Sequence, residues 1–141
     1  MGADLMVETL RGLENGTVRA RPQDAAGATL APMLRKEDGR IDWMPRAEVV
    51  SRRVRGLRPW PGSFTNFRGQ QLHLWMATST PDLAPAIATA GTMLVDNGRL
   101  KVACGERTTL EIKELQLAGR KRIAARDFLN GVRLRPGEKL E

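Results

Sequence analysis

Between Ser63 and Leu117 the hydrophobic period is two, and it comes in short runs. In GQQLHLWMATS, Leu72, Leu74 and Met76 alternate with His73, Trp75 and Ala77. GTMLVDNG, RLKVACGE and TTLEIKELQL follow, divided by turn signals at Asn97-Gly98 and Gly105-Glu106. Successive side chains of a strand point to opposite faces, so this alternation calls for one buried and one solvated face. Short strands at such spacing predict a small antiparallel barrel or sandwich.

Helical periodicity flanks the strands. Pro45 suits the first turn of a helix. After it Ala47, Val50, Val54 and Leu57 share one face, with Val49 beside them, while Arg46, Arg52, Arg53 and Arg55 occupy the rest. Pro59 pushes Arg58 out of the α region, so the helix is predicted to stop near Leu57. Gly56, Pro59, Pro61 and Gly62 of RGLRPWPG then read as a corner leading into the first strand, with Trp60 capping the core. A closing helix is predicted at about Ala124 to Asn130, ahead of Gly131.

The opening stretch reads differently. Residues 3–13 place Leu5, Met6, Thr9, Leu10 and Leu13 at helical spacing, and Asn15-Gly16 supplies a stop. Residues 17–40 have two prolines, small residues and charges with no sustained period, the pattern of an extended connector. The predicted organisation is a terminal helix of a preceding domain (1–16), a linker (17–43) and a mainly β barrel domain with flanking helices (44–141). With few partners of its own, helix 3–13 is expected to fray or to support self-association through its apolar face.

Lys and Arg number 23 against 16 Asp and Glu, a net charge of +7 over 141 residues. That excess suits a polyanionic partner such as nucleic acid. No apolar run approaches the roughly 20 residues of a membrane span, and the zones of a signal peptide are not found. Cys104 is the sole cysteine and has no intramolecular partner, which fits a reducing cytoplasm.

Catalytic chemistry finds little to work with. His73 is the one histidine and lies between leucines; Cys104 has no second histidine to activate it and reads as a small buried hydrophobe. Metal-ligand spacings and phosphate-binding glycine loops are absent, so the sequence implies no catalytic, metal or cofactor residues. Binding is better supported. Arg52, Arg53, Arg55 and Arg58 form one basic cluster, Arg120, Lys121 and Arg122 a second with Arg126 just beyond, and Arg35 and Lys36 a smaller third. Brought to one side of a barrel they would make a track for phosphates. Three Trp, three Phe and no Tyr are too few for an extended base-stacking platform, which favours backbone and shape contacts if the partner is RNA.

The order ATLAPMLRKEDGRIDW, VRGLRPWPGSF and ELQLAGRKRIAARDFLNGVRLRPGEKL strongly resembles the C-terminal part of the methionyl-tRNA formyltransferases. ADLMVETLRGLENGTVRARPQD resembles that family's last catalytic-domain helix and linker, so the likeness covers essentially the whole chain. It implies an OB-like barrel that offers a positive face to initiator tRNA. It also implies an N-terminal domain, lying before Met1, that holds the catalytic residues and 10-formyltetrahydrofolate. Arg35, Lys36 and Arg40 then correspond to linker residues near tRNA, although Met33 stands where relatives often carry lysine. Arg120, Lys121 and Arg122 correspond to a basic turn. Asp42 and Trp43 match the IDW motif and read as structural, Asp42 as a helix-start residue and Trp43 packing the linker onto the barrel. KEDGRIDW alone also fits related formyltransferases or formyl-folate hydrolases, where the barrel would serve as a scaffold. A free-standing single-strand binder is a third possibility, with few aromatic residues in its favour.

Overall fold

The computed structural model describes residues 2–141 in two separate units, residues up to Met33 and Leu34–Glu141. The first unit holds helix α1 (Gly2–Glu14). It ends where Gly16 adopts φ +68°, and Leu5, Met6, Leu10 and Leu13 are all exposed. The connector after it is irregular apart from a three-residue 3-10 turn at Ala25–Gly27.

The second unit is a mostly antiparallel sheet with helices packed on it. Its strands are β1 (Ser63–Phe67), β2 (Gln70–Leu83), β3 (Met93–Asp96), β4 (Arg99–Ala103), β5 (Thr108–Leu117) and the two-residue β6 (Ile123–Ala124). They run in the order β1-β2-β5-β4-β3, with β6 pairing β5. Helix α2 (Ala47–Gly56) lies on β2 and β5, and α3 (Ala125–Gly131) on β4 and β5. The alternation seen in sequence sets the faces: Leu72, Leu74, Leu100, Leu110, Ile112 and Leu115 are buried, joined by Val50 and Val54 of α2 and Phe128 of α3.

The sheet does not close strand upon strand into a barrel. Its outer members β1 and β3 are not paired with each other, because the C-terminal segment lies between them. Asn66 and Glu141 exchange two backbone hydrogen bonds, at 2.7 and 3.0 Å. The N–H of Leu140 donates to the Gly91 carbonyl and that of Met93 to the Glu138 carbonyl.

Trp43 is buried at 6% exposure, as its place in the linker predicts, and its indole N–H donates to the Thr65 hydroxyl. Gly105 is required at the next crossing. Its N–H donates to the carbonyls of Trp43 and Pro45, and a Cβ there would stand 1.7 Å from the Met44 carbonyl oxygen.

Two expectations are corrected. Trp60 does not cap the core: it is 58% exposed, on a corner whose two X-Pro peptides, Arg58-Pro59 and Trp60-Pro61, are both cis. Asp42 does not start α2. Its Oδ1 accepts from the Met44 N–H in a local turn, while the first helical N–H, that of Ala47, is capped by the Thr108 hydroxyl of β5 at 2.8 Å.

Candidate nucleic-acid interface

β2 carries an irregularity where Trp75 stands. Leu74 pairs Leu115 and Met76 pairs Glu114, so Trp75 is the extra residue of a bulge. β1 also ends here, its last pair being Ser63 with Leu74, which leaves Trp75 without a cross-strand partner on either side. Bulges re-aim side chains and loosen the ladder. The Trp75 carbonyl is taken by Arg58, whose Nη1 donates to it at 3.1 Å. The corner that ends α2 is thereby tied to the bulge.

The basic turn between β5 and β6 converges on the same residue. Gly119, at φ +74°, lets the chain reverse, and the Arg120 N–H closes the turn on the Leu117 carbonyl. Gln116 fixes the geometry: its Oε1 accepts from the Trp75 indole N–H at 2.9 Å, and its amide donates to the Arg120 carbonyl at 2.7 Å. The Arg122 guanidinium lies over the indole, 5.1 Å from the ring centroid, and pairs with Glu114. Arg120 and Lys121 are exposed at the tip, with no side-chain ion pair among the described residues.

Between corner and turn is a cleft of about 380 Å³. Arg58, Pro59, Pro61, His73, Trp75 and Gln116 line it. His73 is half-buried beside Phe64, their rings 6.1 Å apart. Burial first, and the charge of Lys36 second, hold its imidazole below the ordinary histidine pKa. Lys36 opens the 3-10 turn Lys36–Gly39, so the linker contributes charge near this wall. Of the sequence clusters, Arg58 and Arg122 thus reach Trp75 directly, the Arg120 backbone is tied to it through Gln116, and Lys36 acts on His73.

The other candidate residues are placed differently. Arg53 donates to the Asp38 carbonyl at 2.8 Å and Arg55 to the Ser51 hydroxyl at 3.0 Å, so each is tied to its own neighbourhood. Arg52 points to solvent from the opposite side of α2 to the buried Val50 and Val54. Arg35 and Arg40 flank the 3-10 turn and are exposed, Arg40 forming a backbone bridge with Phe64. Sequence reasoning missed Gln116, which aligns the indole. Its signal, a polar residue at an outward strand position before a Gly-Arg-Lys-Arg turn, is unremarkable without the register.

Cys104 is buried, and burial pushes its thiol up to about 12, the state of a packed thiol and not of a nucleophile. No group of three or more His, Cys, Asp or Glu side chains among the described residues is placed to hold a metal ion. No helix among them is long and apolar enough to cross a membrane.

Residues 33–133, which hold the whole sheet and the packed IDW segment, match the formyl transferase C-terminal domain model. The chain belongs to that family. It is 54% identical over 140 residues to the methionyl-tRNA formyltransferase of Solibacter usitatus, covering 99% of this chain and 44% of that protein. The enzymes of the same name from Koribacter versatilis and Acidobacterium capsulatum are 44% and 48% identical, with the same coverages. The chain therefore spans less than half the length of these relatives. HypX from Aquifex aeolicus shares the fold in a solved variant structure, at TM-score 0.57 and 18% identity over 94% of this chain and 24% of that one.

Proposed function

We propose that this chain is the tRNA-binding C-terminal part of a methionyl-tRNA formyltransferase. In this reading an N-terminal catalytic domain moves the formyl group of 10-formyltetrahydrofolate to the methionine amine on initiator tRNA, in the cytoplasm, at the start of translation. The observation that carries the reading is the 54% identity to a relative of that name across nearly the whole chain. The convergence of Arg58, Arg120, Lys121 and Arg122 on one rim supports the tRNA-facing role, since exposed guanidinium and ammonium groups meet phosphates without reading sequence. The chain's own chemistry is positioning: it holds the tRNA backbone while the folate is handled elsewhere.

The test is the salt dependence of tRNA binding by filter retention. The chain should retain tRNA at low salt. Replacing Arg120, Lys121 and Arg122 by alanine should lower both affinity and the steepness of log K against log salt, by about one unit of slope per lost phosphate contact. An unchanged slope removes the turn from the interface. No retention at low salt favours the scaffold reading.

A further inference from the structure

The cleft at Trp75 has features that a backbone-tracking surface does not need. It is a half-open recess of about 380 Å³, in volume at the lower end of small-ligand sites, about 300–1,000 Å³. Its wall carries an indole, whose orientation is fixed by the hydrogen bond to Gln116. The guanidinium of Arg58 stands at one side, with a single hydrogen bond to the Trp75 carbonyl among its five N–H donors. Arg122 stands over the indole. His73 is on the same wall, and an uncharged imidazole both donates and accepts a hydrogen bond.

From this arrangement we infer that the cleft takes the base of one unpaired nucleotide of RNA, stacked on Trp75 with a flanking phosphate against Arg58. The inference rests on the nucleic-acid reading above and deepens it. Phosphates alone would be satisfied by the exposed Arg120 and Lys121; an oriented indole on a pocket wall adds a π-face, and of the parts of an RNA chain the base is the one that stacks on it. A duplex does not fit, because its bases are stacked and paired and the pocket holds one base and no helix groove. The three tryptophans divide accordingly: Trp43 is buried, Trp60 is on the outer corner, and Trp75 alone lines the cleft.

The indole N–H of Trp75, bonded to Gln116, is a direct reporter. In the ¹⁵N-labelled full chain its resonance is the one that Trp75→Phe removes. Three RNAs are titrated at low salt: a short oligouridylate, an abasic oligomer of the same length and charge, and an unrelated RNA duplex. The expected result is a shift of the Trp75 resonance with oligouridylate and none with the other two. Trp75→Ala should weaken oligouridylate binding roughly tenfold, within what one stacked base contributes, and leave duplex binding unchanged.

Equal shifts with the abasic oligomer and oligouridylate overturn the inference, since phosphates then suffice. So does binding of oligouridylate with no movement of the Trp75 resonance; retention of tRNA in the same conditions leaves the proposed function standing. If no RNA of any kind binds, both fall together. The shift is measured on the unsubstituted chain, so the result does not depend on the alanine variant folding, which the Trp43 and Trp60 resonances check independently.

Discussion

The Thr108 hydroxyl accepts the Ala47 N–H at 2.8 Å and donates to the Gly105 carbonyl at 2.7 Å, tying the start of α2 to the start of β5. Arg46, the residue in the N-cap position, makes no side-chain cap bond. The cap thus comes from a residue 61 positions away. Thr108→Ala should therefore behave like the loss of a helix N-cap and cost about 0.5–2 kcal/mol, measured by urea denaturation. Thr108→Ser should recover most of it.

Trp43 and Trp60 make a paired comparison. Trp43→Ala removes a buried aromatic and its bond to Thr65, and should cost about 3–5 kcal/mol. Trp60→Ala changes an exposed corner and should stay within about 0.5 kcal/mol of the parent chain. Denaturation midpoints of the two variants, measured side by side, check the contrast.

Arg68 and Glu138 couple the β1–β2 turn to the C-terminal segment through two hydrogen bonds, and Arg68 Nη2 also donates to the Arg133 carbonyl. The Arg68 guanidinium is the main cause holding the Glu138 carboxyl below its ordinary value, with the Arg135 N–H assisting. A carboxylate depressed by folding adds stability above its unfolded pKa, and that stability is lost as pH falls through the folded value. Glu138→Gln should therefore lower the melting temperature near neutrality. The gap from the parent chain should close as pH falls below the ordinary glutamate value and through the lowered folded one.

Cys104 should resist thiol reagents in the folded chain. Burial raises its pKa to about 12, so at pH 8 almost no thiolate is present and access is closed as well. Reaction with a chromogenic disulfide should be slow in buffer and rapid in denaturant. Comparable rates in both would place the thiol at the surface.

What was legible in the sequence follows from the range of the interactions. The alternation in GQQLHLWMATS is local and set by the pleat, so the strand and its buried Leu72 and Leu74 could be read directly. The same holds for α2, whose buried Ala47, Val50 and Val54 repeat at helical spacing. Beyond Leu74, however, the bulge at Trp75 reverses the strand's phase, exposing Met76 and burying Ala77 against expectation. Trp60 could not be placed this way. Proline and glycine beside it mark a corner, but whether the ring turns inward depends on what the rest of the chain has already filled. In the structure Trp43 is the tryptophan that turns inward. The cleft was equally hidden, because Trp75 is presented by a bulge, and a bulge exists only relative to the register of β5. The basic clusters were visible as residues, not as a group. Register and corner together decide that Arg58 and Arg122 both reach Trp75, while Arg52, on the far side of α2 from its buried face, points to solvent.

The segment Glu138–Glu141 has a further effect through its place between β1 and β3. It occupies the Asn66 backbone on one side and Gly91 and Met93 on the other, while Ile41 donates to the Phe64 carbonyl. Exposed strand edges are templates onto which a foreign strand can add. At Asn66 and Met93 those templates are filled by the chain itself. Where that segment runs, a foreign strand finds no free main chain to add to.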